Sequence, residues 1–190
     1  IAKRAIESLE RGGQIAANSI ASEDALNAIS LWKGALLSPE RAGSYSNPNM
    51  QLVYAEFERM RLEKSALTFD DFIPLAIDIL ESNVSARKRW CGPTEYLILD
   101  EYQDCNHGQQ RLLELLADEK ADVMAVGDDD QTIYEWRGAR PNYILRDFEK
   151  VFNYKPHQMY RLSHSFRFGP AIAYSACCLI SQNTQRVNKQ

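Results

Sequence analysis

No stretch of the 190 residues approaches the ~20 consecutive apolar residues that a membrane helix needs, and no charged-then-apolar segment opens the chain. A membrane-spanning or secreted protein is therefore not expected. Cysteine is scarce: Cys91, Cys105, Cys177 and Cys178 form no CxxC pair and no Cys/His array of zinc spacing. The adjacent Cys177 and Cys178 lie in an apolar helical stretch and read as buried thiols, so a reducing, cytoplasmic compartment is expected. Positive charge is not in excess. The net charge of −4 argues against a broad basic face that coats polyanions, though a local groove for nucleic acid stays open. There is no Gly-x-x-x-x-Gly-Lys-Ser/Thr loop, no internal repeat and no low-complexity tract. What is present is globular composition, 45% hydrophobic and 25% charged, on a chain long enough to bury a real core. The first residue is Ile1 rather than Met, as expected of a piece of a longer polypeptide.

The first third reads as helices. Ile1, Ala5, Ile6 and Leu9 recur at helical spacing until Gly12-Gly13, and Leu26, Ile29 and Trp32 mark a second helix from about Ser22. Ser38 to Asn49 reads as a solvent loop. Leu52, Val53, Tyr54, Phe57 and Met60 then define an amphipathic helix with Glu56, Arg59, Arg61 and Glu63 on its other side. Thr68 and Asp71 form a capping-box-like pair ahead of the apolar face Phe72, Leu75, Ile77 and Leu80.

Beyond Cys91-Gly92-Pro93 the periodicity changes. Tyr96-Leu97-Ile98-Leu99 and Val123-Met124-Ala125-Val126 are short apolar runs separated by a helix at about Gln109 to Ala117. They read as strands buried on both faces within a right-handed βαβ unit. A third strand is expected around Met159 to Leu162, before a helix starting after Gly169-Pro170.

Both main strands run into acids: Asp100-Glu101-Tyr102-Gln103-Asp104 after the first, Asp128-Asp129-Asp130-Gln131 after the second. In an open parallel sheet, ligands bind beyond the carboxyl ends of the strands, so the two clusters are expected to face one crevice. An Asp there can hold Mg²⁺ near nucleotide phosphates, and a neighbouring Glu can take a proton from an attacking water. Acidic turns that merely cap the next segment are the plain alternative. A calcium loop starting at Asp128 fails, because Ile133 stands where Gly is needed and Ala139 where Glu is needed. A two-metal nuclease centre of Asp100, Glu101, Asp104 and Asp128 is a rival.

Taken together, Leu99 to Asp104 and Val126-Gly127-Asp128-Asp129-Asp130-Gln131-Thr132-Ile133-Tyr134-Glu135-Trp136-Arg137-Gly138-Ala139 resemble motifs II and III of superfamily 1 DNA helicases of the UvrD/Rep/PcrA type. Thr68-Phe69-Asp70-Asp71-Phe72 looks like the segment with which these proteins re-enter their first RecA-like domain. Leu162-Ser163-His164-Ser165-Phe166-Arg167-Phe168 is similar to motif IV, with Ser165, Phe166 and Phe168 where the family has Asn, Tyr and Ser.

The resemblance implies an α/β fold: a partial RecA-like parallel sheet with an N-terminal helical subdomain. Residues 1–64 would be the helical 1B-like part, 65–160 the distal part of domain 1A, and 161–190 motif IV with the first helix of domain 2A. It implies ATP and Mg²⁺ as cofactors. Asp100 would hold the metal with Glu101 beside it, and Glu101 would deprotonate the attacking water. Gln131 would sense the γ-phosphate, Arg167 would act as an arginine finger, and Phe166 would stack on the adenine. The implied partner is single-stranded DNA or a single-strand/duplex junction, met by Trp136, Tyr134 and Arg137. A core role is the alternative for Trp136, and a salt bridge for Arg167. The implied activity is ATP-driven movement on single-stranded DNA, 3′ to 5′, in DNA repair or replication. The family's phosphate-binding loop and later motifs do not occur here, so this chain alone is expected to be inactive and prone to association. A nucleic-acid-binding module that has lost catalysis is the other functional reading.

Overall fold

The computed structural model describes residues 1–42, 47–152 and 156–184. The chain divides into two compact units, residues 1–93 with 106–116, and residues 94–105 with 117–190.

The first unit is helical. Helix α1 (Ala2–Arg11) buries Ala2, Ala5, Ile6 and Leu9 as one stripe and ends at Gly12. Helices α2 (Ser22–Gly34), α3 (Pro39–Ala42) and α4 (Pro48–Glu63) follow. The loop expected at Ser38 to Asn49 is thus partly helical; a single helical turn has no periodicity to betray it. Helix α4 starts where it does because the Asn47 side chain accepts from the Asn49 N–H at 2.9 Å and Pro48 supplies a preset φ. Helices α5 (Phe72–Ser82) and α6 (Val84–Trp90) complete the run, and the Asn83 carboxamide caps α6 by accepting from the Ala86 N–H. Helix α7 (His107–Ala117) returns to this unit, where Leu115 packs with Ile77, Leu80 and Cys91. A second cluster joins Ala2, Ala5, Ile29, Trp32, Tyr54 and Phe57, with Trp32 stacked on Tyr54 at 5.5 Å. Leu26, Leu52 and Phe72, expected on buried faces, are exposed, and Ala25 and Val53 occupy the interior beside them.

One expectation for α4 is overturned. Arg61, read as a solvent-face residue, is buried. It is accommodated there because four charges compensate one another. Lys33 Nζ lies 2.6 Å from Glu58 and 2.5 Å from Asp71, while Arg61 lies 2.6 Å from Glu58 and 3.4 Å from Asp71. Arg61 also donates to the Ala66 carbonyl at 3.1 Å. Asp71 is the centre of this cluster. Its other oxygen accepts from both the main-chain N–H and the hydroxyl of Thr68, each at 2.7 Å, so the expected capping pair forms. Burial pushes the Asp71 carboxyl up, but the hydrogen bonds from Lys33 and Thr68 outweigh it and hold the group below its ordinary value.

The second unit contains the sheet. Strand β1 (Tyr96–Leu99) and strand β2 (Asp122–Ala125) pair in parallel, with Tyr96 opposite Asp122 and Leu99 opposite Ala125. The ladder runs past both ends: the Val126 N–H donates to Leu99 at 2.7 Å, and the Tyr102 N–H donates to Val126 at 3.0 Å. Strand, helix and parallel strand therefore succeed one another in the expected order. Burial on both faces does not hold. Tyr96 and Ile98, each 71% exposed, lie with Met124 on a face that no described residue covers.

No third strand forms at 159–162, where the backbone has neither helix nor strand among the described residues. An apolar run alone supplies no ladder partner. Helix α8 (Phe148–Val151) follows a π-helical turn at Tyr143–Asp147, and its Phe148 packs edge-on against the buried Tyr102 at 5.8 Å. Helix α9 (Pro170–Ile180) begins at the expected Gly169-Pro170. Cys177 and Cys178 are exposed on it, contrary to the expected buried thiols: the residues flanking them in α9 are themselves largely exposed.

Candidate functional site at the strand ends

The carboxyl end of β1 breaks sharply out of the strand. Glu101 takes a left-handed conformation, φ 51° and ψ 40°, and its N–H donates to the Asp100 carboxylate at 2.9 Å. That conformation is uncommon for a residue with a Cβ and marks a constrained position. Asp100 and Glu101 are both solvent-exposed in this turn. A short 3₁₀ turn, Tyr102–Asp104, then carries Tyr102 and Gln103 into the interior.

At the end of β2, Asp128 organises a second turn. Its carboxylate accepts from the Asp130 N–H at 3.1 Å and from Gln131 Nε2 at 2.7 Å. Acceptor oxygens of Asp128, Asp129 and Asp130 lie within 4.8 Å of one another.

The two turns are tied together by Gln103. Its Nε2 donates to Glu101 Oε2 at 2.7 Å, and its Oε1 accepts from the Asp128 N–H at 3.1 Å. Gly127 permits this approach, since a Cβ there would meet Gln103 Oε1 at 2.5 Å and Ile144 Cδ1 at 2.7 Å. Sequence reasoning gave Gln103 no role. Its signal was the matched spacing of Gln103 from Asp100 and Gln131 from Asp128.

A hard cation prefers carboxylate oxygens, and among the described residues the acids whose oxygens converge are Asp128, Asp129 and Asp130, whereas Asp100, Glu101 and Asp104 form no such group in the β1 turn. Negative charge there is undercompensated: Asp104 Oδ1 is buried with no hydrogen-bond partner among the described residues. Burial, reinforced by the charge of Glu101, pushes the Asp104 carboxyl above its ordinary value. Burial likewise pushes the neighbouring Cys105 thiol up to about 11, with Asp104 adding to it.

Farther along, Tyr134 and Trp136 lie 6.4 Å apart with their rings tilted, and the Arg137 guanidinium sits 5.2 Å over the Trp136 ring. Trp136 is 68% exposed, so it is no core residue here. An exposed aromatic pair with a cation is a surface on which an unpaired base can stack. Phe166 and Arg167 lie in a stretch without helix or strand; Phe166 is 99% exposed, and the Arg167 N–H donates to Ser165. The structure does not bring these two together with the carboxylates: among the described residues, no hydrogen bond or ion pair joins Arg167 to Asp100, Glu101 or Gln131.

Comparison with known proteins shows the family. The family model for the UvrD/REP helicase N-terminal domain matches residues 2–153. The ATP-dependent DNA helicase Rep of Escherichia coli (strain K12) is 37% identical over 185 residues, which cover 94% of this chain and 27% of that protein. Rep of Salmonella typhimurium is 33% identical over the same length and shares. The ATP-dependent DNA helicase PcrA of Leuconostoc citreum is 37% identical over 138 residues, 73% of this chain and 18% of PcrA. The chain thus spans about a quarter of the length of its Rep relatives. It belongs to the UvrD/Rep helicase family.

Proposed function

We propose that this chain forms part of the motor of an ATP-dependent DNA helicase that moves on single-stranded DNA. Residues 1–64 act as the helical 1B-like part, 65–160 as the distal part of a RecA-like domain 1A, and 161–190 as the entry to domain 2A. The observation that carries the reading is the pairing in parallel of two strands whose acidic turns are hydrogen-bonded to each other.

Asp100, with Glu101 beside it, would hold Mg²⁺, which when bound neutralises charge on the phosphates of ATP. Glu101 orients the attacking water and accepts its proton. Gln131, held by Asp128, reads the γ-phosphate. Arg167 and Phe166 meet the nucleotide as arginine finger and adenine platform once the chain closes around it. Trp136 and Tyr134 stack on bases of the single strand while Arg137 approaches a phosphate. The setting we infer for this activity is the cytoplasm. No helix among the described residues is long and apolar enough to cross a membrane.

The test is ATP hydrolysis by the full-length polypeptide that carries this chain, with and without single-stranded DNA. DNA-stimulated hydrolysis is the expected result. DNA binding without hydrolysis would instead assign a binding module. In the same preparation, Trp136→Ala should weaken single-strand affinity about tenfold, in line with roughly 1–3 kcal/mol per stacked base. Fluorescence anisotropy with a labelled oligonucleotide reads this directly, and unchanged affinity would remove Trp136 from the DNA path.

A further inference from the structure

We propose that Gln103 is a positioning residue: its buried carboxamide fixes the Glu101 carboxylate to the end of β2. The inference rests on the reading of Glu101 as the general base.

Gln103 is 1% exposed, and both ends of its amide are committed. The orientation of that amide is dictated by its partners. A carboxylate only accepts, so the NH₂ end faces Glu101; a main-chain N–H only donates, so the carbonyl end faces Asp128. A purely apolar side chain of the same length could fill the space but could satisfy neither partner. Glu101, by contrast, is exposed. An exposed glutamate otherwise samples several rotamers, and general-base catalysis requires one of them. The buried donor at 2.7 Å selects it.

The anchor of that donor is equally firm. The Gln103 carbonyl rests on the main chain of Asp128, beside a glycine whose missing side chain leaves just the room it needs. Asp128 in turn holds Gln131 through its carboxylate. The carboxylate proposed as base and the glutamine proposed as γ-phosphate sensor are therefore referenced to one point on the backbone.

Two substitutions dislodge the amide by independent routes. Gln103→Met keeps length and removes both hydrogen bonds; Gly127→Ala keeps Gln103 and pushes a methyl group against its Oε1. Each is made in the full-length polypeptide, alone and combined with Glu101→Gln, and thermal unfolding accompanies the single-strand-stimulated hydrolysis assay. The expected result is a fall in kcat of about 10- to 100-fold, the scale of a misplaced catalytic group, with KM for ATP within about twofold. In the Glu101→Gln background neither change should lower the residual rate further, because there is no base left to position.

Absence of hydrolysis in the unmodified protein would overturn the reading of Glu101 itself. Hydrolysis in the unmodified protein with wild-type kcat in both variants would overturn only the role of Gln103. So would a loss that compounds in the Glu101→Gln background or falls mainly on KM. Failure of both variants to fold would overturn it too, making Gln103 a residue of folding rather than of positioning.

Discussion

Glu101→Gln, in the full-length polypeptide, is expected to lower single-strand-stimulated ATP hydrolysis by about 10³-fold, within the range general-base catalysis supplies. The substitution suits the geometry. A glutamine at 101 is isosteric, and its carbonyl oxygen can still accept from Gln103 Nε2, so the turn after β1 keeps its shape. It cannot take a proton from water. The loss should therefore fall on turnover, with nucleotide affinity little changed. Steady-state phosphate release alongside equilibrium binding of a fluorescent ATP analogue separates the two. A loss below about tenfold would mean that Glu101 is not the base, however well placed it is.

Lys33→Met should cost about 3 kcal/mol of stability, the lower end of the loss that removing one partner of a buried ion pair causes. The lysine is buried and meets both Glu58 and Asp71. Methionine fills much the same volume but leaves both carboxylates with Arg61 as their remaining cation in the cluster. Urea unfolding monitored by Trp32 fluorescence is the natural probe, because Trp32 stacks on Tyr54 in the adjoining core. The same cluster sets an acid limit. Because the folded-state value of Asp71 is depressed, its contribution is fully present above the ordinary aspartate range, near pH ~4, and is lost as pH falls below it. In Lys33→Met that acid-dependent component should shrink, and a curve of stability against pH that keeps the unmodified protein's slope would contradict the assignment.

Local pattern carried much of this structure. Tyr96–Leu99 reads as a strand and is one, and the capping pair Thr68 and Asp71 forms as its spacing requires. What escaped was whatever depended on partners distant in sequence. Arg61 looks like a surface arginine on a helical wheel, and its burial rests on Glu58 three residues before it together with Lys33 and Asp71 from outside α4. Met159 to Leu162 has the composition of a strand but pairs with no other strand among the described residues. The exposed Tyr96 and Ile98 show that an apolar run reports a face suited to burial rather than one that the described residues bury. At the site, the acids and aromatics announced themselves by type and spacing. Gln103 showed only a spacing from Asp100 matched by that of Gln131 from Asp128, which carries no role by itself, because its significance lies in having both ends of its amide occupied.

The shared duties of Asp71 constrain how this sequence can drift. One carboxylate closes the turn at Thr68 with one oxygen and balances Lys33 with the other, while Glu58 and Arg61 complete a neutral set. A descendant that loses the cation at position 33 gains by shedding an acid as well, and position 58 is the one free of the capping task. Substitutions at 33 and 58 should therefore travel together, whereas aspartate at 71 should outlast both.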